Sequence, residues 1–114
     1  METTFKPWGE DIFLHENEVF SVRLLKIRKG EAVSLHYHTK KIEALYVIKG
    51  TAEYTLIKDN VETKSILKQG DLIHHRPYEI HRQRALEEFH ILEISTLDIH
   101  DIIRIEDDYG RISQ

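Results

Sequence analysis

The stretch GEAVSLHYHTKKIEALYVIKG, Gly30 to Gly50, decides how the rest of the chain is read. In an extended strand alternate side chains share a face, so His36 and His38 point one way and Tyr37 the other. A turn through Thr39, Lys40 and Lys41 brings Glu43, at the head of the apolar run Ile42 to Ile48, back beside them on the neighbouring strand. Two imidazoles and a carboxylate form a borderline-soft donor set. Such a set suits zinc, manganese, iron, nickel or cobalt with coordination positions left open. The pattern predicts a divalent transition metal as cofactor and calls for one more ligand from a distant part of the chain.

Working outward, the 114 residues suffice for one core and are too few for two. Apolar content of 40% and charged content of 32% are those of a globular protein and argue against disorder. A net charge of −4 gives no electrostatic footprint for nucleic acid or for an anionic membrane surface, so neither is expected as a partner. There is no run of 18 apolar residues, and METTFKPWGED lacks the cationic end and apolar centre of a signal peptide, so the expected compartment is the cytoplasm. Cysteine is absent, which removes thiolate sites and restricts any bound metal to nitrogen and oxygen. Five of the eight histidines, His36, His38, His74, His75 and His81, fall in two clusters.

Short runs rich in β-branched, Leu and aromatic residues predict strands at Ile12 to Leu14, Val19 to Arg28, Val33 to Tyr37, Ile42 to Ile48, Thr51 to Ile57, Val61 to Leu67, Leu72 to His75, Ile80 to Gln83 and Glu87 to Leu97. Lys29-Gly30, Lys49-Gly50, Asp59-Asn60 and Gln69-Gly70-Asp71 are the turns between them. Residues 1–10 read as an N-terminal arm that packs Trp8 on the domain or on a partner. Residues 99–114 read as a C-terminal tail, with a short helix over Ile99 to Ile103. Strands at this spacing predict an all-β fold, closed or double-sheeted so that few edges are exposed.

The distant ligand is His81. From Gly30 the chain reads G-x5-H-x-H-x4-E-x6-G, and from Gly70 it reads G-x10-H. This resembles the cupin signature, with Gly30, His36, His38, Glu43 and Gly50 on the first motif and Gly70 and His81 on the second. The resemblance implies a single jelly-roll barrel, a double-stranded β-helix over residues 1–114, with His36, His38, Glu43 and His81 as metal ligands. The second motif departs between its ends: the family's proline and glycine positions are Arg76 and Tyr78, with Pro77 shifted by one, and its asparagine is Ala85. Lys6-Pro7-Trp8-Gly9, Ser34-Leu35, Gly50-Thr51-Ala52, His81-Arg82 and the run Asp101 to Arg111 narrow the likeness. Together they resemble the C-terminal domain of type II mannose-6-phosphate isomerases, which in those enzymes follows a sugar-1-phosphate nucleotidylyltransferase domain. No such domain lies within these 114 residues. His36 stands where that family commonly has glutamine, and Lys41 where it has arginine.

What this second resemblance implies is a metal-dependent aldose–ketose isomerase of a sugar phosphate, working by proton transfer through an enediolate. Lys41, Arg82 and Arg104 are the candidate catalytic and phosphate-holding residues, with Arg111 a further cation in the tail. Lys41, His74 or a metal-bound hydroxide are the candidates for the base. His74 and His75 face opposite sides of a strand, and a surface or loop role is expected for both. Tyr46, Tyr54 and Trp8 read as core or interface aromatics, and Asp107-Asp108 as a solvated turn. The same donor set would serve an iron-dependent dioxygenase, and a non-catalytic sugar-binding module is the third reading. A homodimer is expected, with the arm of Phe5, Pro7 and Trp8 lying across a neighbour and covering strand edges.

Overall fold

The computed structural model describes residues 2–98 and 100–112. Among the described residues are eleven strands: β1 (Thr3–Lys6), β2 (Gly9–Glu16), β3 (Ser21–Ile27), β4 (Leu35–Tyr37), β5 (Glu43–Lys49), β6 (Ala52–Lys58), β7 (Val61–Leu67), β8 (Leu72–His75), β9 (Ile80–Ala85), β10 (Phe89–Ser95) and β11 (Ile103–Glu106). They form two antiparallel sheets, β1-β2-β3-β10-β5-β8 and β11-β4-β9-β6-β7, packed as a barrel. Among the described residues there is no helix, and so none long and apolar enough to cross a membrane.

Turn chemistry sets the hairpins. Asp59 and Asn60 both take positive φ, 52° and 63°, the two-residue turn whose twist matches the flanking strands β6 and β7. Gly50 is fixed by sterics as well as by its φ of 85°, because a Cβ there would stand 2.1 Å from the Glu88 carbonyl oxygen. Gly9 is fixed by close approach, since its Cβ would overlap the Lys26 carbonyl.

Register explains where the site lies. Pairing of β5, β10, β3 and β2 stacks inward side chains in rungs. At one end the rungs hold Phe89 with Ile27, and Val47 with Ile91 and Leu25. Across from them Ala52, Tyr54, Leu67 and Ala85 of the second sheet complete the core with Trp8. Burial of each large apolar side chain here contributes about 1.5–3 kcal/mol. Farther along, the rungs turn polar: Glu93 with Arg23 and Leu45, then Glu43 with Ser95 and His75. On the facing sheet one rung runs Arg104, His36, His81 and Leu56. The barrel is thus filled with hydrocarbon at one end and with charge and imidazole at the other.

Three expectations change. The N-terminal arm is a strand, β1, paired to β2 within the chain, with Phe5 and Pro7 exposed; Trp8 is buried in the chain's own core, one of the two placements expected for it. The expected helix over Ile99 to Ile103 is absent: Ile99 lies outside the described residues, His100 is in a turn, and Ile103 opens β11. The tail pairs with β4 instead, because its Ile103 and Ile105 alternate with Arg104 and Glu106. Outside, the two sheets differ. Leu72, Tyr46, Leu92, Leu24 and Ile12 make an uncharged row across five strands of the first sheet. The second sheet carries ion pairs such as Lys64–Glu53 between β7 and β6 and Arg84–Asp108 between β9 and the turn after β11.

Candidate metal centre

His36 and His38 stand on and just beyond β4, and His81 stands on β9 directly opposite His36. One ring nitrogen from each lies within 4.8 Å of the others, and all three residues are buried. What fixes these rings is the far nitrogen. His36 Nδ1 meets the Ser34 carbonyl at 2.7 Å, His81 Nδ1 meets the Glu79 carbonyl at 2.8 Å, and His38 Nδ1 meets the Asp101 carbonyl. A carbonyl can only accept, so each Nδ1 carries the proton and each Nε2 presents a lone pair. The Nε2 atoms of His38 and His81 are buried without a hydrogen-bond partner among the described residues. Buried nitrogens converging with nothing to bond are what a cation satisfies, so the residues fit a metal ion.

Glu43, the first residue of β5, adds the carboxylate: Oε1 is 3.6 Å from His38 Nε2 and Oε2 is 3.2 Å from His81 Nε2. Burial pushes this carboxyl up, but the surrounding His38, His75 and His81 outweigh it and hold it well below the ordinary range. Burial, then the neighbouring His81 and His38, lower His36 well below a free imidazole despite the pull of Glu43. The cluster therefore keeps an ionised carboxylate beside a neutral imidazole, the protonation states that ligation needs.

The four residues sit in the wall of a cavity of about 440 Å³ that also takes in Trp8, Leu25, Val33 and Leu45 on its apolar side and Lys41, Glu93, Arg104 and Arg111 on its polar side. Lys41, 6% exposed, places its ammonium 3.2 Å from Glu93 and 3.4 Å from Glu43. Burial works against this charge, yet the two carboxylates more than offset it and raise the ammonium above its ordinary value. Lys41 is thus a fixed cation and unsuited to the role of base. Arg104 turns its Nε inward, buried and unpartnered, while Arg111 is held by Asp107 at 2.8 Å. Arg82 is not in the cavity wall. As the strand neighbour of His81 it faces the other side, with its Nε on the Val33 carbonyl and its Nη2 3.4 Å from Asp108. Strand alternation thus puts Arg82 on the face away from His81 and the cavity.

His74 is exposed on the outer face, which removes it as a base. His75 is wholly buried, against the expected surface or loop role: its Nδ1 bonds Glu43 Oε2 at 2.6 Å, its Nε2 meets the Tyr54 hydroxyl at 2.6 Å, and its ring stacks on His81 at 3.5 Å. Asp101, Glu93 and Tyr54 were equally silent as site residues. Their partners lie more than fifty residues away for the first two, and only strand register brings them in. Tyr78, at the family's glycine position, takes the left-handed φ of 68°, with its amide on the His38 carbonyl and its ring stacked on Tyr37. The altered loop so keeps a glycine's backbone with a tyrosine's contact.

Comparison with known proteins agrees with this geometry. A family model described as mannose-6-phosphate isomerase C-terminal matches residues 1–107. A mannose-1-phosphate guanylyltransferase of Sinorhizobium fredii is 35% identical over 111 residues, 93% of this chain and 21% of that protein. The alginate biosynthesis protein AlgA of Pseudomonas putida is 31% identical over 114 residues, 96% of this chain and 23% of that protein. The chain spans about a fifth of the length of these relatives. Among solved structures, an oxalate decarboxylase of Lactobacillus farciminis superposes with a TM-score of 0.78 at 18% identity, over 91% of this chain and 33% of that one. KdgF from a Halomonas species superposes with 0.72 at 17%, over 84% and 86%. At such identities the likeness carries the fold, a cupin barrel.

Proposed function

Because this chain belongs to the mannose-6-phosphate isomerase C-terminal family, we propose that it is a metal-dependent sugar-phosphate isomerase interconverting an aldose and a ketose. The observation that carries the reading is the meeting, in one cavity, of converging unpartnered imidazole nitrogens and an unpartnered arginine Nε. His36, His38 and His81 through Nε2, with Glu43, would hold a divalent zinc, manganese, iron, nickel or cobalt ion. Bound there, such an ion supplies a Lewis acid for a sugar carbonyl.

The remaining work falls to the chain. Arg104 Nε, with Arg111 beside it, holds the phosphate and fixes the sugar's depth. Lys41 donates a hydrogen bond to a sugar oxygen, its charge secured by Glu93 and Glu43. Glu93 is the base: burial pushes its carboxyl up despite the Lys41 ammonium, which makes it a better proton acceptor than an exposed carboxylate. The proton leaves the carbon beside the carbonyl for Glu93 and returns to the former carbonyl carbon, while the hydroxyl proton of the first carbon passes to the former carbonyl oxygen, so that the sugar is isomerised and the carboxylate is regenerated. Trp8, Leu25 and Leu45 keep water from the reacting carbons.

The test is exchange of solvent proton into a panel of hexose and heptose phosphates by metal-loaded protein. Exchange should require the ion, fall about a hundredfold in Glu93→Gln with its proton acceptor gone, and show a raised KM with a retained ion in Arg104→Ala. Exchange that is equal in wild type and His38→Ala, or absent from both, removes the isomerase reading. Homodimer formation belongs to the same proposal, supported by the uncharged outer row of the first sheet, which meets no like charge when packed on a second copy. Light scattering should give twice the chain mass, and Tyr46→Glu should give the monomer; a monomeric wild type removes this part.

A further inference from the structure

The ligand cluster contains two overlapping sets of donors. His36, His38 and His81 make one, all in the cavity wall, and Glu43, His75 and His81 make the other, of which His75 lies outside that wall. Both are buried, and distance alone does not choose between them.

Hydrogen bonding does. The Glu43 carboxylate is ionised and can only accept, so the 2.6 Å contact from His75 Nδ1 is an N–H donation. His75 Nε2 is then the lone-pair nitrogen, and the Tyr54 hydroxyl, also at 2.6 Å, donates to it. Both nitrogens of His75 are spent, and neither offers a lone pair to an ion. His75 is held a third way, by its ring stacked on His81 with 7° between planes.

We propose that His75, locked by the Tyr54 hydroxyl, is a positioning residue for the metal centre: it is not a ligand, and it aims the Glu43 carboxylate at the ion held by the outer set. The inference rests on the ion-binding part of the function proposed above and is independent of the isomerase part. Glu43 otherwise has a competing partner in the ammonium of Lys41, 3.4 Å from its Oε1, which leaves more than one rotamer open to it. The short bond from His75 selects one of them. Tyr54 in turn selects the tautomer of His75 that can make that bond; without the hydroxyl, the ring is free to carry its proton on Nε2 and turn an acceptor toward a carboxylate.

The experiment measures dissociation constants for Co²⁺ and Zn²⁺ by chelator competition, with the visible spectrum of the cobalt protein as a second readout. Variants are His75→Leu, His75→Gln and Tyr54→Phe. His75→Leu should weaken binding by about 10–100-fold, the range for loss of a hydrogen bond that orients a ligand. His75→Gln, whose amide N–H still donates to Glu43, should recover most of that loss. Tyr54→Phe should fall between, with a shifted cobalt spectrum, and it keeps the test open if His75→Leu fails to fold. X-ray absorption should count three imidazoles on the ion. Four imidazoles, wild-type affinity in His75→Leu or Tyr54→Phe, or equal loss in His75→Leu and His75→Gln would overturn the proposal. Wild-type protein that binds neither ion overturns the ion-binding reading itself, a result distinct from any of these.

Discussion

His38 and His75 are both buried imidazoles beside Glu43, and they differ through what their Nδ1 atoms meet. His38 gives its Nδ1 proton to a neutral carbonyl and keeps a free lone pair; His75 gives its own to the carboxylate and spends its lone pair on Tyr54. Replacing His38 or His81 by Ala should therefore lower bound metal at least about tenfold while the circular dichroism of the fold survives, because neither ring belongs to the hydrocarbon end of the barrel. Loss of the fold along with the metal would contradict that separation. Period two puts His36 and His38 on one face and the turn returns Glu43 beside them, while His81 entered through its offset from Gly70 and the likeness to the cupin signature. The same period also excludes Arg82 from the face of His81, a consequence the sequence carried and the expectation overlooked. His75 was not legible: the pair His74-His75 must split between faces, and nothing local says which of them turns inward.

At the scale of elements, the tail does more than deliver arginines to the mouth. The Asp101 carboxylate accepts from the amides of Thr39, Lys40 and Lys41 and from the Thr39 hydroxyl, while its own carbonyl takes the Nδ1 proton of His38. One residue thus holds the turn that sets Lys41 and the ring that sets the centre. Burial opposes its charge, but these donors hold the carboxyl far below its ordinary value. Asp101→Ala should cost about 2 kcal/mol of stability, the worth of charge-assisted hydrogen bonds at a partly exposed site. It should also weaken metal binding, read by the same chelator competition, whereas Asp98→Ala next to it should do neither. Unchanged metal affinity in Asp101→Ala would leave the clamp a purely structural device. The sequence showed a charged tail and suggested a helix. Four alternating residues carry too little periodicity to announce a strand when the partner, β4, lies more than sixty residues away.

For the whole molecule, the all-β double sheet was readable because the strands between the arm and the tail leave their turns in plain view, and Asp59-Asn60 or Lys49-Gly50 name their geometry. The polar end of the barrel was readable only as scattered charges, and it governs how the molecule responds to acid. Burial outweighs the Glu43 hydrogen bond and lowers His75 from the ordinary 6.5 to about 4. As pH falls below about 6.5, the unfolded chain takes up a proton that the folded barrel refuses until about 4. Stability is therefore full above that window and declines through it, by about 3 kcal/mol for this one group. His36, lowered by burial and by its neighbours, acts in the same direction; below about pH 4 the depressed carboxyls of Glu43 and Asp101 extend the loss. Glu93, pushed up by burial, acts oppositely, one group against several. With chelator present, the urea midpoint should fall steadily from about pH 7 to about pH 4.5, and His75→Gln, which has nothing to titrate there, should flatten that slope. A midpoint constant over the whole range would mean that the interior imidazoles charge as freely folded as unfolded, which is incompatible with a polar end sealed from water.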